Sequence, residues 1–128
     1  ARWILQIPPK AMRAAYEGAD VVLNYSRSEG LSNALLEAMA TGRPILASDI
    51  PGNRWLIHDE KGIGPCGFLF SPDGNTDFVR KALHLANDRA LRESFAANGR
   101  LRAAEWPNPT DEAQALLEIY QTAISQQV

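Results

Sequence analysis

The sequence is poor in the residues that most often announce chemistry. Its single cysteine, Cys66, rules out an internal disulfide. Its two histidines, His58 and His84, stand apart from thiolates and from paired carboxylates, so no metal-ligand set is expected. Apolar runs such as Val21-Val22-Leu23 are far too short to span a bilayer, and no charged-then-apolar signal peptide opens the chain. The expected localisation is cytoplasmic, with a peripheral place at the cytoplasmic membrane face left open for a full-length protein. An excess of one charge is missing too: 13 basic residues face 15 acidic ones, for a net charge of −2. That balance lacks the basic stripe of a nucleic-acid or anionic-membrane binder. Any catalysis falls to carboxylates, backbone amides or basic side chains.

What is present is a core. A chain of 128 residues with 45% hydrophobic content reads as one domain, residues 1–128. It opens on Ala1 and runs directly into apolar residues, which is expected of a piece cut from a longer protein. Short apolar runs alternate with helical patterns: Trp3 to Ile7, then Pro8 to Gly18; Asp20 to Tyr25, then Leu31 to Thr41; Pro44 to Ala47, then Asn53 to His58; Gly67 to Phe70, then Thr76 to Asn87. This is the rhythm of an α/β fold, a Rossmann-like parallel sheet with helices on both faces. The unbroken runs Val21-Val22-Leu23 and Ile45-Leu46-Ala47 read as central strands covered on both sides. Two further helices, Arg89 to Glu105 and Asp111 to Gln126, are expected to pack back over the sheet edge.

One segment carries more than packing. Leu31, Ala34, Leu35, Ala38 and Met39 recur at the spacing of a buried helical face, and Gly42 with Pro44 stops the helix. Before that helix a strand ends at Tyr25-Ser26 and turns through Arg27-Ser28-Glu29-Gly30. A helix N-terminus leaves backbone amides unpaired, and these together with the helix dipole favour an anion such as phosphate. Gly30 would let a pyrophosphate approach the backbone, and such turns lie at the carboxyl ends of parallel strands, where open sheets bind ligands. Glu29 sits at the rim and Glu37 further along the helix, where a carboxylate can accept two hydroxyl hydrogen bonds, as a ribose diol offers. The ordinary alternatives are an acid placed for helix electrostatics and a solvated helix residue.

Glu29, seven intervening residues, Glu37, then Ala38-Met39-Ala40 and Gly42-x-Pro44-Ile45-Leu46-Ala47-Ser48 closely resemble the E-x7-E segment of retaining glycosyltransferases, above all glycosyltransferase family 4. Ala19-Asp20-Val21-Val22-Leu23 upstream, and Gly52 with Cys66-Gly67-Phe68-Leu69-Phe70 downstream, resemble the same family, so the similarity covers roughly Tyr16 to Pro72. It implies the C-terminal, donor-binding half of a GT-B fold, whose missing N-terminal domain would hold the acceptor. The donor would be a UDP-, GDP- or ADP-sugar, used without a required metal or other cofactor. On this resemblance Glu29 would touch the donor sugar, the amides of Gly30, Leu31 and Ser32 would hold the diphosphate, and Glu37 would bind the ribose. Arg27 and Arg54 become candidates for phosphate contact. Where the family often has a glutamate after its glycine loop, this chain has Trp55. The phosphate-gripping basic residues of the family belong to segments before Ala1, so the fragment alone is expected to be inactive.

Two other readings compete: a sugar-nucleotide epimerase of the same architecture, which needs acid and base carboxylates, and a non-catalytic nucleotide-binding or assembly domain. The resemblance also places Trp3 to Ile7 near the third strand of a 3-2-1-4-5-6 sheet. Without its usual neighbours it would rearrange or pair with a second copy, giving a homodimer through an exposed strand edge.

Overall fold

The computed structural model describes residues 4–58 and 62–125. Three parallel strands, β1 (Val22–Asn24), β2 (Ile45–Ser48) and β3 (Gly67–Phe70), lie side by side in chain order. Val22 pairs with Ile45, and Ile45 in turn with Gly67. Among the described residues six helices surround them: α1 (Pro9–Glu17), α2 (Asn33–Ala40), α3 (Pro51–Ile57), α4 (Asn75–Asn87), α5 (Arg89–Ala104) and α6 (Pro109–Ser125). Parallel neighbours need crossovers, and α2 and α3 supply them. The fold is α/β and Rossmann-like, with helices on both sheet faces as the sequence indicates.

Alternation along β2 builds both cores. Ile45 and Ala47 join Leu35, Ala38 and Met39 of α2 and Leu56 of α3 on one face. Leu46 joins Phe70, Leu85 of α4 and Phe95 of α5 on the other. Every residue of β2 is buried, so the reading of Ile45-Leu46-Ala47 as a central strand holds. Gly42 ends α2 with φ 67°, a left-handed conformation that suits glycine, and the Gly42 N–H bonds the Met39 carbonyl.

Three expectations need correction. Val21-Val22-Leu23 is not central: among the described residues β1 has a single neighbour, and Leu23 is 54% exposed. Residues 4–7 form no strand, since no segment among the described residues pairs with them, and Leu5 is 90% exposed; Trp3 lies outside the described residues. Helix α5 packs as expected, burying Phe95 and Gly99, but α6 buries none of its residues. The two cores are already closed by α1 to α5, with Trp106 packed at the margin of one. The Pro107-Asn108-Pro109 break then leads α6 away with Ile119 and Tyr120 exposed. Among the described residues no helix is long and apolar enough to cross a membrane.

Helix α4 is fastened to β3 through one carboxylate. Asp77 accepts hydrogen bonds from Lys81 Nζ at 2.7 Å, from an Arg80 guanidinium nitrogen at 2.6 Å and from the Ser71 N–H at 3.2 Å, while Lys81 also donates to the Leu69 carbonyl. The bonds from Lys81 and Arg80 hold Asp77 down at about 2, against 3.8 for an unperturbed side chain. A carboxyl depressed in the folded state adds stability above its unfolded value that is lost as pH falls through the folded one. Stability measured by urea unfolding should therefore decline between about pH 4 and pH 2, and Asp77→Asn should flatten that decline; an unchanged slope would refute the assignment.

Core and surface helices should also answer differently to truncation. Leu35→Ala is expected to cost about 2–5 kcal/mol, and Ile119→Ala to stay within about 0.5 kcal/mol. A loss above about 1 kcal/mol for Ile119→Ala would show that α6 is buried in solution.

Candidate functional site

The carboxyl ends of β1 and β2 meet where two loops leave the sheet. The loop after β1 runs from Tyr25 to Ser32, and α2 begins at Asn33, two residues later than the apolar spacing predicts. Ser32 is extended, with φ −82° and ψ 105°, and its carbonyl takes the first helical bonds from Leu35 and Leu36. Gly30, Leu31 and Ser32 consequently lie in the turn ahead of the first helical residue. Leu31 and Ala34, expected on the buried stripe, are exposed, whereas Leu35, Ala38 and Met39 are fully buried.

The turn is tied to β2 by a hydroxyl. Ser48, fully buried, donates to the Ser26 carbonyl at 2.7 Å and accepts the Ser26 N–H at 2.9 Å. Ser26 Oγ then donates to Glu29 Oε1, as does Asn24 Nδ2 at 3.2 Å. These bonds favour the charged form, so Glu29 lies below the usual glutamate value, Ser26 contributing most and Asn24 next; partial burial opposes them.

A second constraint comes from α3. A Cβ placed on Gly52 would lie 1.8 Å from the Gly30 carbonyl oxygen and 2.7 Å from that of Glu29. Only glycine allows the first turn of α3 to press on the Glu29-Gly30 backbone. Gly30 itself is under no such demand, since its Cβ would meet nothing within 4 Å and its φ is not positive.

The structure gathers Arg27, Glu29, Gly30, Leu31 and Ser32 on one turn but sets Glu37 apart. Glu37 is exposed on α2, at the edge of a 330 Å³ cavity between α1 and α2 that Met12, Tyr16 and Thr41 also line. Burial, and then the neighbouring Glu37 carboxylate, push the Tyr16 phenol above its ordinary value. Arg27 is exposed, while Arg54 is engaged by Asp49. Trp55 is 50% exposed and packs edge-on against Trp106 at 5.1 Å. Cys66 is buried and its thiol is pushed up to about 11 by that burial, which makes it a core residue with little thiolate at neutral pH. Among the described residues no three His, Cys, Asp or Glu side chains cluster as metal ligands would.

Sequence reasoning passed over Asn24, Ser48, Asn53 and Tyr16. The available signal was positional: Asn24 and Ser48 are the polar residues that end the two apolar runs, and Asn53 follows the constrained Gly52.

The model of the family described as "Glycosyl transferases group 1" matches residues 1–102. The chain belongs to the glycosyl transferases group 1 family. Among its relatives, the glycosyltransferase 1 domain-containing protein 1 of Xenopus tropicalis is 33% identical over 121 residues, which are 94% of this chain and 32% of that protein. A sulfoquinovosyl transferase of Arabidopsis thaliana is 35% identical over 112 residues, 86% of this chain and 21% of that protein. The fold is shared with a sucrose-phosphate synthase from Thermosynechococcus elongatus, with a TM-score of 0.80 at 22% identity over 96% of this chain and 30% of that one. The chain thus spans a third or less of the length of these relatives.

The two glycines of the group 1 segment should behave oppositely. Gly52→Ala is expected to cost about 1–3 kcal/mol through overpacking and to shift the Glu29 and Gly30 amide resonances. Gly30→Ala should change stability by less than about 0.5 kcal/mol. A neutral Gly52→Ala in urea unfolding would mean that the close approach does not persist in solution.

Proposed function

We propose that residues 1–128 form the donor-binding domain of a retaining glycosyltransferase of family 4 type that uses a nucleoside diphosphate sugar. The acceptor would be held by a separate N-terminal domain of the GT-B arrangement, and transfer would proceed without a bound metal. The observation that carries the reading is the Glu29 turn, in which a charged carboxylate is fixed beside backbone amides at the carboxyl ends of parallel strands. Gly30 supports it, because no packing in the fold explains the absence of a side chain there.

In this reading the Gly30, Leu31 and Ser32 amides hold the diphosphate, helped by Arg27. The donated hydrogen bonds and the adjacent positive end of α2 would stabilise the negative charge that builds on the departing diphosphate. Glu29 accepts hydrogen bonds from the donor sugar. Glu37, beside the cavity between α1 and α2, binds the ribose diol. Family membership supports the reaction class, and the relatives' names include several sugar transferases.

The test is titration of the chain with UDP, GDP and ADP, followed by amide chemical shifts. Shifts centred on Gly30 to Ser32 are expected with at least one nucleotide. Glu37→Gln should weaken binding about tenfold or more, as loss of a charge-assisted hydrogen bond requires. Identical affinity in Glu37→Gln, or silence from all three nucleotides, would overturn the assignment.

A further inference from the structure

Asn53, the third residue of α3, is a fully buried polar side chain that the reading above does not use. Its Nδ2 donates to the Ser48 carbonyl at 3.0 Å, to Ser48 Oγ at 3.4 Å and to Asn24 Oδ1 at 3.2 Å. Its Oδ1 has no hydrogen-bond partner among the described residues. Leaving a buried amide oxygen unpaired is costly, and an apolar side chain of similar volume would avoid that cost. The position is therefore defined by what Nδ2 does.

The direction of these bonds is fixed from one end. The Ser48 backbone carbonyl can only accept, so the Asn53 nitrogen must face it. Asn24 must then turn its Oδ1 toward Asn53, which leaves its Nδ2 on the side of Glu29. A flipped Asn24 would set two amide nitrogens against each other and press an oxygen on the Glu29 carboxylate. Ser48 also anchors Ser26, the other donor to Glu29 Oε1, so both donors trace back to one residue at the end of β2.

We propose that Asn53 is a positioning residue for Glu29, locking the Asn24 amide in the orientation that donates to the carboxylate. The inference rests on the reading of Glu29 as a donor-site carboxylate. It also makes a claim about Glu29 that can be checked without any ligand.

The experiment is a carboxyl-carbon NMR titration of Glu29 in the wild-type chain, Asn53→Leu, Asn24→Leu and the double variant. Asn53→Leu is expected to raise the Glu29 titration midpoint, Asn24→Leu to raise it likewise, and the double variant to add nothing further. A midpoint unmoved by Asn53→Leu, or raised additively in the double variant, would overturn the proposal. A second measurement on the wild type covers the case in which Asn53→Leu does not fold. The side-chain NH2 resonances of Asn24 and Asn53 should both follow the Glu29 titration and lose that response in Glu29→Gln. An Asn53 resonance indifferent to Glu29 would overturn the proposal. Titration of the same variants with UDP, GDP and ADP separates the two claims: a wild type that binds none of the three counts against the donor-site reading, while the Glu29 midpoints still decide the role of Asn53.

Discussion

The buried Ser48 hydroxyl, which donates to the Ser26 carbonyl and accepts its N–H, fastens the Glu29 turn to the sheet just where the β1–β2 ladder ends. Two residues past the end of the ladder, this one side chain meets both backbone groups of Ser26. Each such bond contributes only about 1 kcal/mol net, but an unpaired buried group costs more. The turn therefore has little freedom to leave Ser48. With Gly52 pressed on the Glu29 and Gly30 carbonyls from the other side, the loop is held between β2 and α3.

That arrangement rests on β2. It is paired on both sides and buried along its whole length, with one core on each face. Helix α2 is anchored through Leu35, Ala38 and Met39, and α5 lies close enough that a Cβ on Gly99 would stand 3.5 Å from Met39 Cα. The turn thus spans two fixed points, the end of a strand and the start of a helix that cannot slide. Sites carried by rigid elements hold geometry better than free loops do.

The strand and helix rhythm was legible because both cores are built by local patterns: an unbroken run for β2 and a three-and-four spacing for α2. Glu29, Gly30 and Glu37 suggested a motif because they are close in sequence. What was not legible depends on partners distant in sequence. An apolar run such as Val21 to Leu23 reads as a central strand whether or not a second neighbour exists, and among the described residues β1 has one neighbour. Residues 4–7 have strand-like composition, but strand geometry requires a pairing partner, and the described residues supply none. The apolar face of α6 is genuine, yet periodicity says nothing about which surface, if any, covers it. The network around Glu29 joins Asn53 to Asn24 across 29 positions and Ser48 to Ser26 across 22, a relation invisible to spacing rules.

The electrostatics of Glu29 bear on the choice among reaction classes. A general acid or base works best with a pKa near the operating pH, and enzymes reach that value by burying a carboxyl away from donors. Glu29 is treated in the opposite way: two side-chain donors converge on one of its oxygens and hold its pKa down. A carboxylate kept ionised in this manner is an acceptor only, suited to receiving hydroxyl hydrogen bonds and ill suited to shuttling protons at neutral pH. An epimerase built on this architecture would ask proton transfer of its carboxylates. In the transferase proposed above, Glu29 would only read and orient the sugar, while backbone amides and the positive end of α2 would take up the leaving charge. With Glu29 placed at the donor sugar as proposed, the hydrogen bonds around it suit transfer better than epimerisation.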